Sequence, residues 1–206
     1  MSPDFVSLSH QLLDAAEGKA RFMVALAGPP GAGKSYRSAL LCEAINQLRP
    51  GQAAVVPMDG YHFDNAVLGD EQLPVKGAPH TFDVEGLHHD LMRIRRADKP
   101  VAVPVFDRPL DLARAGGRLI TPAHRIVIVE GNYLLLNQDP WRSLHALFDW
   151  TLFIDVDDAV LVERLVNRWL CMGQDHSGAL ERTHQKDMLN AALVKTSSVP
   201  PDQRWR

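Results

Sequence analysis

Four stretches of the chain are apolar at almost every position: Arg21 to Ala27, Ala53 to Met58, Arg125 to Val129 and Trp150 to Val156. Short unbroken apolar runs bounded by glycine and charge are what a strand buried on both faces requires, so the pattern predicts strands of a parallel sheet. Between them the apolar residues recur at helical spacing. Leu8, Leu12, Leu13 and Ala16 mark a helix over Ser7 to Glu17; Leu40, Leu41, Ala44, Ile45 and Leu48 mark one over Ser38 to Leu48; Leu87, Leu91 and Ile94 mark one over Val84 to Ala97. Asp157-Asp158 is read as the cap of a further helix whose inward face carries Val160, Leu161, Leu165 and Trp169. A short helix is expected at Trp141 to Phe148 and another at His184 to Val194. Strands alternating with helices predict an α/β protein of three layers, a parallel central sheet flanked by helices.

Three stretches break this alternation. Pro100 to Asp107 and Gly117 to Ile120 read as the two arms of a small hairpin lobe. Leu68 to Phe82, rich in Gly, Pro and charge, reads as a surface loop over the active edge, and Gly173 to Thr183 as a mobile lid. Ser197 to Arg206 reads as an irregular tail, with no terminal apolar strand. Arg93, Arg95 and Arg96 are expected to be charges that suit a helix C-terminus.

A length of 206 residues, with 46% hydrophobic and 23% charged residues, predicts one soluble domain over 1–206, with an N-terminal helix at about 5–17, a substrate lobe at about 60–122 and a lid at about 171–187. The net charge of −3 disfavours a nucleic-acid partner. No run approaches a membrane span and Met1 to Lys19 lacks the order of a signal peptide, so a cytoplasmic protein with no membrane partner is expected. Cys42 and Cys171 are read as reduced thiols in apolar helical surroundings, and the histidines do not group at zinc spacings. The sequence does not read out an oligomeric state, and a homodimer stays open.

Chemistry concentrates after the first strand. Gly28-Pro29-Pro30-Gly31-Ala32-Gly33-Lys34-Ser35 fits the phosphate-binding loop pattern G-x-x-x-x-G-K-[ST]. Glycines let the backbone curl through positive φ and bring its N–H groups to phosphate oxygens; Lys34 reaches the β- and γ-phosphates and the Ser35 hydroxyl binds Mg²⁺. The following helix directs its positive end at the anion. A strand before and a helix after the loop supply the context the motif needs, so ATP and Mg²⁺ are the expected cofactors and a P-loop NTPase fold is the expected architecture.

The ends of the other strands belong to the same edge, because ligands of open parallel sheets gather outside the carboxyl ends. Asp59, after the second strand, is the candidate general base. Glu130, after Ile126-Val127-Ile128-Val129, is the Walker B acid that supports Mg²⁺. Arg164 and Arg168 project together from one helix face at i, i+4 and are candidates to reach the transferring phosphate. A GTPase switch built on Asp83-Val84-Glu85-Gly86 is a weaker reading, since that element follows no apolar strand and no Asn-Lys-x-Asp reader occurs. A partner-driven ATPase is also weaker, because Gly131 follows Glu130 where a water-activating acid would stand.

Asp59-Gly60-Tyr61-His62, Lys76-Gly77-Ala78-Pro79, Thr81-Phe82-Asp83, Pro104-Val105-Phe106-Asp107 and Ile128-Val129-Glu130-Gly131, in this order, resemble the phosphoribulokinase/uridine kinase family of P-loop kinases from about Phe22 to about Val194. The pantothenate kinase branch is similar around Asp59-Gly60 and Lys76-Gly77, and the short bacterial proteins labelled fructose kinases or fructose-transport kinases are more similar still. The resemblance implies an ATP-dependent kinase acting on a hydroxyl of a small metabolite, a sugar first and pantothenate, a nucleoside or another alcohol as alternatives. It implies that Asp59 accepts the hydroxyl proton and that Asp59, His62, His80, Asp83, Phe106 and Arg108 bind substrate. Tyr36 and Arg182 are implied to bind ATP, Arg182 standing with Arg164 and Arg168 where lid arginines are expected. Where uridine kinases carry an aromatic residue and a histidine, this chain has Arg108-Pro109, which turns the expectation towards an acidic or polyhydroxylated acceptor.

Overall fold

The computed structural model describes residues 5–206; the first four residues of the expected domain lie outside the described residues. Helix α1 (Phe5–Ala15) precedes strand β1 (Phe22–Ala27), which runs into the glycine loop and helix α2 (Lys34–Leu48). Strand β2 (Ala53–Pro57) ends in a 3₁₀ turn at Met58–Tyr61, followed by α3 (Asn65–Gln72) and α4 (Val84–Arg96). Strands β3 (Val101–Asp107) and β4 (Leu112–Ile120) form a separate antiparallel hairpin. The chain then returns to the main sheet through β5 (Ile126–Gly131), a 3₁₀ segment at Trp141–Leu147 and β6 (Trp150–Ile154). Helices α5 (Asp158–Cys171), α6 (His176–Arg182) and α7 (Met188–Ser197) precede a last strand, β7 (Gln203–Trp205).

The main sheet has the order β2-β5-β1-β6-β7 and every pairing in it is parallel. Its two central strands, β1 and β5, are buried along their whole length, which is why their sequences run apolar without alternation. Successive side chains nevertheless face opposite layers. Met23, Ala25, Ala27, Val127 and Val129 join Leu87 and Leu91 of α4 on one side. Phe22, Val24, Leu26, Ile126 and Ile128 join Leu12 of α1, Leu41 and Ile45 of α2, and Leu161 and Leu165 of α5 on the other. The expected three-layer α/β P-loop fold is therefore present, with the hairpin and a helical cap as its additions.

Several local expectations need correction. The tail is not irregular: Gln203–Trp205 adds the fifth parallel strand, Trp205 is buried, and its ring meets Phe5 edge-on at 5.4 Å. A three-residue edge strand is too short to show periodicity, and one tryptophan anchors it. Within Leu68 to Phe82, α3 and two 3₁₀ turns (Leu73–Val75 and Pro79–Thr81) replace the expected loop. Asp64 caps α3 by accepting from Ala66 N at 2.9 Å, and Lys76 and Thr81 are buried. Helix α2 begins at Lys34, and Leu48 faces solvent. Asp157 occupies the N-cap position of α5 without a side-chain cap bond; Asp158 instead pairs with Lys195 at 2.6 Å. The Gly173 to Thr183 stretch is largely α6, capped by Asp175, and a π-helical turn at Thr183–Asp187 joins it to α7. Arg95 does more than sit at a helix end, since it donates to Leu147 O and to Asp149, which holds Met23 N at the start of β1. Cys171 is exposed rather than set among apolar side chains. Among the described residues no helix is long and apolar enough to cross a membrane.

Candidate active site

Sheet register brings the chemical groups together. Pro57 of β2 pairs with Glu130 of β5, and Glu130 pairs with Leu26 of β1, so the three chains leave the sheet at the same edge. The glycine loop begins two residues past Leu26, and Asp59 lies two residues past Pro57. Gly33 has φ 82° and occupies the N-cap position of α2; a Cβ there would meet nothing within 4 Å. Gly31, at φ 80°, and Gly33 thus take the loop through left-handed backbone, as a phosphate cradle requires. Gly28, Pro29, Pro30, Gly31 and Ala32 are buried around it.

Lys34 is buried in this cradle, and its Nζ donates to Pro29 O at 2.9 Å. Burial lowers its pKa to about 8, against the opposing pull of Glu130 and Asp59. Burial likewise raises Glu130 to about 7, with Asp59 adding to the rise and Lys34 opposing it. Ser35 donates its hydroxyl to Glu130 Oε1 at 2.9 Å. A hydroxyl and a carboxylate side by side at the mouth of a phosphate loop are the hard oxygen donors that suit Mg²⁺, which takes its remaining ligands from water and phosphate. The residues present therefore fit Mg·ATP.

In front of them lies a cavity of about 660 Å³, lined by Ser35, Asp59, Phe106, Arg108, Arg118 and Glu130 among others. The hairpin supplies its far wall. Gly60 makes this close approach feasible, because a Cβ at that position would stand 2.4 Å from Pro104 O. Arg108 reaches back from the hairpin and donates to Asp59 Oδ2 at 2.6 Å.

The other candidates are distributed unevenly. His62 sits behind Asp59: its Nδ1 is 2.8 Å from Asp59 O, and its ring packs on Phe82 and Phe106 at 4.0 and 4.7 Å. Burial lowers its pKa. Asp83 caps α4, accepting from Gly86 N at 2.8 Å. Tyr36 is 71% exposed and does not line the cavity. His80 lies away from Asp59, in a second cleft of about 660 Å³ shared with Arg182 and Lys186.

The three arginines divide as well. Arg164 donates to Gly31 O of the loop at 3.2 Å. Arg168 has its pKa lowered by burial first and by Arg108 next, with Asp187 and Asp59 opposing. Arg182 stacks on Trp169, Cζ 4.3 Å from the ring centre, and its Nε is buried without a partner. Trp169 in turn donates to Asp187 Oδ2 at 2.7 Å.

Two residues near the cavity were given no site role by the sequence, Arg118 without any motif around it and Lys76 only as part of the Lys76-Gly77-Ala78-Pro79 resemblance. Arg118 donates to Val55 O at 2.6 Å and faces the cavity from β4. Lys76, buried, joins Asn65 and Asp111 at 2.6 and 3.0 Å and lies 5.3 Å from the centre of the Phe106 ring, tying α3 to the hairpin. Each is distant in sequence from what it holds.

No protein-family model matches the chain. Among curated proteins it is 33% identical over 214 aligned residues to "Putative uridine kinase C227.14" of Schizosaccharomyces pombe, covering 98% of this chain and 91% of that one. It is 34% identical to the "ATP-dependent kinase-like protein notR'" of Aspergillus versicolor, over 72% of this chain and 95% of that one. Among solved structures, a "putative fructose transport system kinase" from Silicibacter sp. TM1040 superimposes with a TM-score of 0.92 at 39% identity, over the whole of both chains.

Proposed function

Because the chain belongs to the phosphoribulokinase/uridine kinase family of P-loop kinases and is an ATP-dependent small-molecule kinase, we propose that its acceptor is a sugar hydroxyl and that Asp59 is the general base. The observation that carries the mechanism is the sheet register, which sets Asp59, Glu130 and the Lys34–Ser35 pair at one edge around one cavity. Support for a sugar comes from the name of the Silicibacter neighbour, at 39% identity, and from a cavity wall rich in charged and polar side chains.

Phosphoryl transfer proceeds through a loose transition state, so the protein chiefly positions two oxygens in line and neutralises charge. Loop amides and Lys34 hold the phosphates. Ser35 and Glu130 would hold Mg²⁺, which would screen phosphate charge. The bond from γ-phosphorus to the bridging oxygen breaks and its electron pair leaves with ADP, while a bond from the acceptor oxygen to phosphorus forms. Asp59 receives the hydroxyl proton late in this exchange. Arg168 is the arginine assigned to the transferring group, and Arg164 braces the loop. The segment 60–122 serves as the substrate lobe and 171–187 as the lid, within one catalytic domain acting on a small molecule in the cytoplasm.

Release of ADP from Mg·ATP, assayed against fructose, uridine and pantothenate with Asp59→Asn alongside, tests the reading. Acceptor-dependent release with a sugar that disappears in the variant is the expected result. Release that favours uridine or pantothenate would replace the sugar and keep the kinase. Release indifferent to every acceptor and to Asp59 would overturn both.

A further inference from the structure

With Ser35 and Glu130 assigned to the metal and Lys34 to phosphate, the charged side chains left on the cavity wall are Asp59, Arg108, Arg118 and Glu43. Two of these are guanidinium groups carried by the hairpin region. Arg118 spends one nitrogen on Val55 O. Arg108 lies where β3 ends, its side chain 61% exposed, with Nη2 on Asp59 Oδ2 and Cζ 6.0 Å from the centre of the Phe106 ring.

The Arg108–Asp59 contact stands in the way of the reaction proposed above. A base must come within hydrogen-bond reach of the hydroxyl it deprotonates, and here one of its two oxygens is taken by a donor that reaches it from the hairpin wall of the cavity. A neutral polyol offers the guanidinium only neutral oxygens, which are weaker partners than the carboxylate it would leave. A carboxylate or phosphate on the acceptor offers an equal or better one, in the bidentate geometry that a guanidinium favours. The existing ion pair is solvent-exposed on the arginine side, and such pairs are weak enough to exchange.

We infer that the acceptor is an anionic polyol, a sugar acid or sugar phosphate, and that Arg108 is its specificity residue, leaving Asp59 for the acceptor's charged group as the substrate enters, with Arg118 as the second cation along the same wall. The inference rests on the kinase reading and narrows its substrate class. Arg108 then couples recognition to chemistry, because the anion that is recognised also uncovers the base.

The test measures ADP release with matched pairs: fructose against fructose 6-phosphate, glucose against gluconate, and glycerol against glycerate. Each is run with the parent, Arg108→Met and Arg108→Lys. For at least one pair the charged member should exceed its neutral partner by about tenfold or more in kcat/KM. Arg108→Met should raise the KM of that acceptor about 30-fold, with the KM for ATP within about threefold of the parent, and Arg108→Lys should recover part of the loss. A merely structural Arg108 would move both KM values together. Neutral members used as well as charged ones, or a parental acceptor KM in Arg108→Met, overturns the inference and leaves the kinase intact. Hydrolysis indifferent to all six acceptors overturns the kinase reading and the inference with it.

Discussion

Ser35 donates its hydroxyl to Glu130 Oε1 across 2.9 Å, joining the first turn of α2 to the end of β5. The two residues are 95 positions apart, and the parallel pairing of β1 with β5 makes the contact. Glu130 is buried there, and burial, with Asp59 beside it, holds its carboxyl up to about 7.

A pH dependence follows with a definite sign. The folded pKa of Glu130 lies above its ordinary value of 4.5, so the folded state binds the proton more tightly than the unfolded chain. Its contribution to stability is fully present below pH 4.5 and is lost as pH rises through about 7. Without ligand, the melting temperature should fall across this window, and Glu130→Gln should flatten the fall. Mg²⁺-dependent nucleotide affinity should rise across the same window in the parent alone. Thermal melts and ADP titrations at stepped pH check both; parallel curves for parent and variant would refute the assignment.

Asp59→Asn keeps the shape of the side chain and removes its proton affinity. Turnover should fall by about 10²–10⁴-fold with nucleotide binding within about threefold of the parent. Steady-state kinetics beside an ADP titration gives the comparison, and turnover within threefold of the parent would remove Asp59 from the mechanism.

Arg164 and Arg168 should part company on substitution by methionine. Arg164 holds Gly31 O, so its loss should raise the KM for ATP with a small change in kcat. Arg168, exposed on α5 and within electrostatic reach of Arg108, Asp187 and Asp59, should lose about 10²-fold or more in kcat with little change in the KM for ATP. The reverse split would exchange their roles.

Gly60→Ala tests the placement of the hairpin. The added methyl would meet backbone, Pro104 O at 2.4 Å, and backbone cannot swing aside as a side chain can. The hairpin must withdraw from Asp59, so the acceptor KM should rise about tenfold or more while the KM for ATP holds. Equal changes in both constants would point to general loosening instead.

Trp205→Ala tests the last strand. Trp205 is 6% exposed and packs edge-on against Phe5, so its truncation should cost about 3 kcal/mol. Urea denaturation measures the loss. An unchanged midpoint would mean that β7 adds nothing to the sheet.

What the sequence determined by itself was whatever depends on neighbours along the chain. The unbroken apolar runs of β1 and β5 required burial on both faces, and the glycine loop between a strand and a helix required a bound triphosphate. The acids that end β2 and β5 then had to share an edge, since parallel strands all point their carboxyl ends the same way. Tertiary structure decided what depends on approach between distant segments. Trp205 makes a strand only because β6 offers an open edge and Phe5 a ring to pack on. Arg182, which the resemblance sets among the lid arginines, stacks on Trp169 beside the second cleft, with His80 there too. Asp83 is occupied as a helix cap, and Arg108 meets Asp59 only because Gly60 lets the hairpin close on the sheet edge. Periodicity and motif spacing record local geometry, and a side chain's partner 49 residues away, as Arg108 is from Asp59, leaves no mark on either.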